Sequence, residues 1–142
     1  MHRITVVVAD TQPAWRAICN SALEHEDDIS VVAHAGEHDD AMAAVVEFRP
    51  RILLCSLRLA ATAGYSLLAT LRQECPATRG VLWTDDTVGE TQLLAALAKG
   101  ALGLVNRNDL KRQLPQAMRG VDRGEVWVPR KMLGRVLDRL VG

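Results

Sequence analysis

The chain has 142 residues, enough for one domain with a buried core. Hydrophobic residues make up 49% of it and charged residues 24%, proportions of a soluble globular protein that exclude a disordered chain. The 17 basic and 17 acidic residues give zero net charge, which argues against a protein built only to coat nucleic acid.

Short aliphatic runs alternate with longer helical patterns along the chain. Continuous apolar runs such as residues 4–8 are typical of parallel strands buried on both faces. In chain order we predict a strand at 4–8, a helix at 13–25, a strand at 29–34, a helix at 37–48, a strand at 51–55, a helix at 65–74, a strand at 79–84, a helix at 88–99, a strand at 101–106, a helix between Asp109 and Gly124, and a last helix at 130–141.

Three residues refine these predictions. Gly100 is a natural end for the helix at 88–99, since glycine readily takes the left-handed conformation that follows a helix. Pro115 removes a backbone donor in the second turn of the next helix, so we expect that helix to start late or to bend. Gly64 indicates a loop between the third strand and the helix at 65–74.

The regular alternation of strands and helices predicts the architecture. It indicates an α/β fold with right-handed crossovers, in which five parallel strands take the flavodoxin-like order 2-1-3-4-5 and one extra helix follows at the C-terminus. In such a sheet the functional residues lie at the carboxyl ends of the strands, next to the switch point between strands one and three. The candidates at this edge are Asp10, Thr11, Ser56, Thr84, Asp85 and Arg107.

Several segments, in this order and spacing, resemble one known family. They are residues 6–13, 49–58, 81–84, 100–103 and 124–129. The chain resembles a response-regulator receiver domain of the NarL/FixJ (LuxR-type) branch, over residues 3 to about 130. The resemblance implies a CheY-like fold and a role in two-component, phosphorelay signal transduction and transcription regulation. It also implies a receiver-like domain at 1–125 and an exit segment with a linker helix at 126–142, leading toward a DNA-binding module.

The chemistry of the family requires a carboxylate nucleophile after the third strand and two acids after the first, which together hold Mg²⁺. This chain keeps Asp10, but it has Thr11 at the second acidic position and Ser56 at the acceptor position. One remaining carboxylate is rarely enough for Mg²⁺, and a serine cannot form an acyl phosphate. We therefore expect no metal site, no cofactor and no aspartyl phosphorylation.

Other positions of the family's site also differ. The hydroxyl residue after the fourth strand is kept as Thr84, but Asp85 follows it and Arg107 replaces the lysine. The switch position in the fifth strand, often aromatic in the family, is Leu104. We hypothesise that Arg107 pairs bidentately with Asp10 or Asp85 and holds the pocket in one state. The alternative is that Arg107 points to solvent.

Two further groups have ordinary interpretations. Asp85 and Asp86 could be a metal pair, but an acidic patch at a helix N-terminus is the better interpretation. Trp15 and Trp83 are predicted to pack in the core, and Trp127 is predicted to be partly exposed.

The C-terminal part indicates an interaction surface. Residues 1–98 carry 7 basic and 13 acidic residues, and residues 99–142 carry 10 and 4, so the balances are −6 and +6. This asymmetry fits solvated helix faces or a steering surface for self-association. The last helix is basic and amphipathic, with Met132, Leu133, Val136, Leu137 and Leu140 apolar. The candidate interface residues are Lys99, Leu110, Lys111, Leu114, Met118, Met132 and Val136.

These observations leave three hypotheses about function. The first is a pseudo-receiver of a transcriptional regulator that acts by homodimerisation, together with an attached or partner helix-turn-helix module. The second is a standalone adaptor that binds another regulator or a kinase. The third, a small-molecule sensor or an enzyme using the vestigial pocket, has the weakest support because no nucleophile–base pair is present, and we predict no enzymatic activity.

The remaining expectations concern the cell compartment and direct contacts. The chain has three cysteines with no metal-ligand spacing and no apolar run near the ~20 residues that span a bilayer. We therefore predict a reduced, cytoplasmic protein with no membrane contact. We also predict no direct nucleic-acid contact from these residues.

Overall fold

The computed structural model describes residues 2–141, without the side chains of Arg139 and Leu140. The apolar position predicted at Leu140 therefore lies outside the described residues. The strands are β1 (Ile4–Ala9), β2 (Ile29–Ala35), β3 (Ile52–Ser56), β4 (Arg79–Thr84) and β5 (Gly103–Asn106). The helices are α1 (Pro13–Leu23), α2 (His38–Phe48), α3 (Leu57–Glu74), α4 (Glu90–Ala98), α5 (Leu110–Asp122) and α6 (Leu133–Val141), with short 3₁₀ turns at Arg107–Asp109 and Arg130–Met132.

The five strands form one parallel sheet with the order β2-β1-β3-β4-β5, which confirms the predicted topology. Helices cover both faces of this sheet. Alternate residues of β1 point to opposite faces, so Val6 and Val8 join one core cluster while Val7 and Ala9 join the other. Both faces are buried, and this explains why β1 is a continuous apolar run instead of an alternating one.

Each core cluster belongs to one layer of helices. On one face, α1 and α5 pack together and bury residues such as Cys19, Leu114 and Met118. On the other face, α2, α3 and α4 bury residues such as Val45 and Leu67. The three cysteines are free and buried, and burial is the main reason that the pKa of Cys19 rises to about 12.

The structure differs from the predictions at some helix ends. Helix α3 begins at Leu57 instead of residue 65, because Ser56 caps it through a hydrogen bond from the Leu59 N–H. Non-helical backbone at 62–65, including Gly64, divides α3 into two parts, so the predicted loop is shorter than expected. Helix α4 begins at Glu90, two residues later than predicted.

The sequence predicted that Gly100 ends α4 and that Pro115 delays or bends α5. Gly100 follows α4 with a φ of +114°, which confirms its predicted role at the end of that helix. Helix α5 begins at Leu110, directly after the 3₁₀ turn, and includes Pro115 in its interior. The prediction of a late start was therefore wrong. Packing of an amphipathic face, in which Pro115 is itself buried, outweighs the backbone donor that proline lacks.

The segment after α5 packs back onto the sheet. The Leu104 N–H donates to the Trp127 carbonyl at 2.8 Å, and the Trp127 N–H donates to the Leu102 carbonyl at 2.9 Å. Trp127 therefore extends the sheet beside β5. Met132 is buried against the α2–α4 face, and Val136 packs beside it. Trp127 and Met132, in the segment predicted to be an exit segment and linker helix, thus contact the rest of the fold.

Burial also changes the predicted interface. Helix α5 turns Leu110, Leu114 and Met118 into the core, with at most 1% of each exposed, and Met132 is equally enclosed. These four residues are not available to a partner, because the helical stripe that suggested an interface faces the sheet of the same chain. Lys99 and Lys111 are exposed, and Val136 is half-buried. Among the described side chains of α6, the exposed large apolar ones are Leu133, Leu137 and Val141.

No helix in the described part of the chain is both long and apolar enough to cross a membrane.

The position of Met132 gives a direct test of this packing. We expect Met132→Ala to lower the free energy of unfolding by about 2–4 kcal/mol, because it leaves a cavity in the core. Val126 in the same segment is 59% exposed and lies outside α6, so Val126→Ala is a matched control expected to change stability by less than about 0.5 kcal/mol. Urea unfolding followed by circular dichroism measures both. Equal stability of the two variants would mean that the segment after residue 126 is not part of the folded unit.

Candidate functional site

The candidate site lies at the carboxyl edge of the sheet. Asp10 follows β1, Ser56 ends β3, Thr84 ends β4 and Arg107 follows β5, and parallel pairing brings these ends together. They line one cavity of about 470 Å³ together with Asp85. The structure therefore confirms that these five predicted residues are neighbours. Thr11 is exposed and does not line the cavity.

Ser56 and Asp10 form the base of the site, and both are buried. The Ser56 hydroxyl donates to Asp10 Oδ1 at 2.9 Å and accepts the Leu59 N–H at 3.2 Å. The Thr11 N–H donates to the same Asp10 oxygen at 2.8 Å. The hydroxyl thus joins the end of β1 to the start of α3, and its proton is donated to Asp10 within the chain.

Asp85 forms one side of the mouth. Its Oδ1 accepts hydrogen bonds from the N–H and the hydroxyl of Thr87, which lower the pKa of the Asp85 carboxyl. Its Oδ2 lies 3.9 Å from Arg58 Nη2 and 4.0 Å from Arg107 Nη1, and these two charges lower the pKa further. Asp85 is therefore a carboxylate at neutral pH, and it faces two guanidinium groups.

The bidentate pair predicted for Arg107 is not present. Its nearest carboxylate oxygen is at 4.0 Å, which is the outer limit of an ion pair and too long for a hydrogen bond. The Arg107 guanidinium instead lies over the Trp15 ring, 4.9 Å from the ring centroid, as a cation–π contact. Asp10 is satisfied by Ser56 and Thr11. The alternative that Arg107 points to solvent is correct in part, because its side chain is 43% exposed although it contacts Trp15.

Sequence reasoning missed several contributors to the cavity, among them Arg58 and Trp15. Arg58 lies in a segment that was predicted to be a loop, but α3 starts at Leu57 and directs Arg58 to the mouth. Trp15 was assigned to the core, whereas it is half-buried and lines the cavity. A serine before the helical residues at 57–61 was the available signal for the early start of α3. Trp83 is buried as predicted, although it also lines the cavity.

Three other predicted residues lie near this edge: Leu104 in β5, and Asp85 and Asp86 in the loop after β4. Leu104, which the resemblance assigned to the switch position, is buried in the core next to β4. Asp85 and Asp86 lie in the loop before α4 and not in its first turn, so the helix N-terminus interpretation was wrong. Asp86 accepts hydrogen bonds from the side-chain amides of Asn106 and Asn108, both at 2.9 Å.

This fold and this site edge define a class of signalling domain. The model of the response regulator receiver domain matches residues 6–119, and the chain belongs to that family. It is similar to the oxygen regulatory protein NreC of Staphylococcus aureus (strain JH9), with 29% identity over 139 residues. That similarity covers 96% of this chain and 63% of NreC, so the chain spans less than two thirds of the length of this curated relative.

Solved structures agree on the fold. The isolated REC domain of RcsB from Salmonella enterica serovar Typhimurium in the apo form has a TM-score of 0.85 and 18% identity, covering 96% of this chain and 99% of that one. A two-component response regulator of the LuxR family from Aurantimonas sp. SI85-9A1 has a TM-score of 0.84 and 23% identity, covering 99% of both chains. At these identities the likeness establishes the receiver fold.

The bridging role of Ser56 gives a prediction. We expect Ser56→Ala to reduce the free energy of unfolding by about 1–2 kcal/mol, because it removes the cap of α3 and one donor to Asp10. Thr11→Ala is the matched control: Thr11 contacts Asp10 through its backbone N–H, which alanine keeps, so little change is expected. Chemical denaturation measures both variants. If the two variants are equally stable, the Ser56 hydroxyl does not hold β1 and α3 together.

Proposed function

We propose that this receiver domain is the regulatory part of a LuxR-type transcriptional regulator and works without aspartyl phosphorylation. The carrying observation is Ser56 at the position where the family has its acceptor carboxylate. The Ser56 hydroxyl is committed to Asp10 and Leu59, and a serine cannot form an acyl phosphate. Signalling would then depend on binding and association, with no enzymatic step.

The charged residues at the site support the proposal that it does not bind the divalent cation of the family. Mg²⁺ in this family is held by carboxylate oxygens, and only Asp10 and Asp85 contribute carboxylates to the cavity. Asp10 Oδ1 already accepts two hydrogen bonds, and Asp85 faces two guanidinium groups that would repel a cation. Within residues 2–141, no three His, Cys, Asp or Glu side chains gather in a metal-binding arrangement. The residues present do not fit the Mg²⁺ of the family.

The similar proteins support the regulatory role that we propose, which is control of a DNA-binding module. NreC is described as an oxygen regulatory protein, and one RcsB structure contains two RcsB dimers bound to two parallel DNAs. We propose by analogy that this chain also acts as a homodimer and controls a helix-turn-helix module, either attached or on a partner. The alternative is an adaptor that binds another regulator or a kinase.

The surface we propose for self-association is the exposed stripe of α6. Leu133, Leu137 and Val141 follow one another at four-residue spacing, so they lie on one side of the helix, and they are 46%, 59% and 89% exposed. Exposed apolar residues grouped in this way are typical of an interface. This stripe replaces the α5 residues that the sequence suggested, since those are buried.

The lack of phosphorylation can be measured directly. We expect no mass increase after incubation with acetyl phosphate and Mg²⁺, as followed by intact-protein mass spectrometry, because the site has no acceptor carboxylate. An adduct of one phosphoryl group that is labile to hydroxylamine would contradict the proposal.

A second variant tests how far the site has changed. Ser56→Asp restores the acceptor, but it places a carboxylate beside Asp10 where the hydroxyl now donates a hydrogen bond. We expect this variant also to remain unlabelled, since the second acid and the lysine are still absent. Labelling of Ser56→Asp would mean that the serine alone blocks phosphorylation.

Self-association can be tested at the α6 stripe. We expect the protein to be a dimer by size-exclusion chromatography with light scattering, and Leu137→Asp to shift it to a monomer. Val46→Asp is the matched control, because Val46 is 44% exposed on α2, away from the stripe. A wild-type monomer at every concentration would contradict the homodimer proposal, and a stable complex with another regulator would then favour the adaptor.

A further inference from the structure

The cavity at the carboxyl edge contains two arginines for which the proposed function gives no role. We infer that Arg58 and Arg107 bind a small anion with a carboxylate or phosphate group, reversibly and without Mg²⁺. The inference rests on the proposed function, because a phosphoryl group on an acceptor carboxylate would occupy the same space. The anion would be the input that replaces phosphorylation.

The geometry leaves the donors of both guanidinium groups free for a ligand. Arg58 and Arg107 approach the same oxygen of Asp85 at 3.9 and 4.0 Å, whereas a charge-assisted hydrogen bond is about 2.7–2.9 Å long. Both guanidinium groups lie near Asp85 at distances too long for a hydrogen bond, and each carries five N–H donors. An anion with two or more oxygens can therefore bridge them.

The balance of charge at the mouth also favours an anion. Two guanidinium groups face a single Asp85 carboxylate, and the pKa of that carboxyl is lowered chiefly by the hydrogen bonds from Thr87. Asp10 lies at the base and its carboxylate accepts from Ser56 and from the Thr11 backbone. Asp85 thus occupies the position of a counter-ion without hydrogen-bonding to either arginine, and a ligand anion would share or take that position.

The walls of the cavity suit a small organic molecule. Its volume of about 470 Å³ lies within the usual range of ligand sites, about 300–1,000 Å³. Trp15 and Trp83 supply aromatic surface, and Gln12 and Gln92 supply amide groups. The Trp15 ring contacts the Arg107 guanidinium from one side, 4.9 Å from the ring centroid, and so holds it at the cavity.

The indole groups allow a direct measurement. The chain has three tryptophans, of which Trp15 and Trp83 line the cavity while Trp127 lies beside β5. In ¹⁵N NMR spectra recorded with EDTA at constant ionic strength, we expect inorganic phosphate or citrate to move the Trp15 and Trp83 indole signals saturably. Trp127 should not move. Saturation by phosphate alone identifies a phosphate-bearing ligand, and by citrate alone a carboxylate-bearing one.

Single substitutions at the mouth of the cavity test whether anion affinity falls or rises with the local charge. We expect Arg107→Ala and Arg58→Ala each to weaken binding by about two- to fivefold, the range for one exposed charge pair, and Asp85→Asn to strengthen it by a similar factor. Arg123→Ala is the matched control, because this exposed arginine follows α5 at the opposite edge of the sheet. Absence of saturable movement, or weaker binding by Asp85→Asn, would overturn the inference.

Failure of this inference is distinct from failure of the proposed function. Covalent labelling by acetyl phosphate with Mg²⁺ would contradict the proposed function. A protein that stays unlabelled and also shows no saturable anion binding would contradict only the anion site.

Discussion

The parallel direction of all five strands is the constraint on which the rest of the site depends. Because each strand ends at the same edge, residues as distant in sequence as Asp10, Ser56 and Arg107 line one cavity. At the base of that edge, the Ser56 hydroxyl joins β1 to α3 through Asp10 and Leu59. The Ser56 hydroxyl is therefore a structural hydrogen-bonding group at this edge.

Ion pairs within the chain partly neutralise the opposite net charges of residues 1–98 and 99–142. Arg119 of α5 hydrogen-bonds to Asp28 with two nitrogens at 2.8 Å and to Glu26 at 3.0 Å, next to the start of β2. Arg135 of α6 pairs with Glu90 of α4 at 2.8 Å. Basic residues late in the chain therefore contact acidic residues early in it. Part of the asymmetry serves folding, and only the remainder is available for steering a partner.

The C-terminal segment shows where periodicity alone misleads. The spacing of Leu110, Leu114 and Met118 identified an amphipathic helix correctly, but an apolar stripe can face its own sheet or a partner with the same spacing. Whether the stripe faces its own sheet or a partner depends on which parts of the sheet the other elements leave uncovered. In this chain α5 covers the face shared with α1, and Trp127 and Met132 close the side next to β5. Of the large apolar residues left exposed in the described part of the chain, Leu133, Leu137 and Val141 lie on α6.

The sequence by itself determined the fold, its strand order and the edge that carries the site, because buried parallel strands are continuous apolar runs and their carboxyl ends must meet. It also determined that Ser56 cannot act as an acyl-phosphate acceptor, since this follows from the identity of one side chain. Only the tertiary structure decided that Arg58 and Trp15 join the cavity and that Arg107 stacks instead of pairing bidentately. Those contacts depend on where α3 begins and on side-chain directions across different elements, which a repeating pattern along one element does not encode.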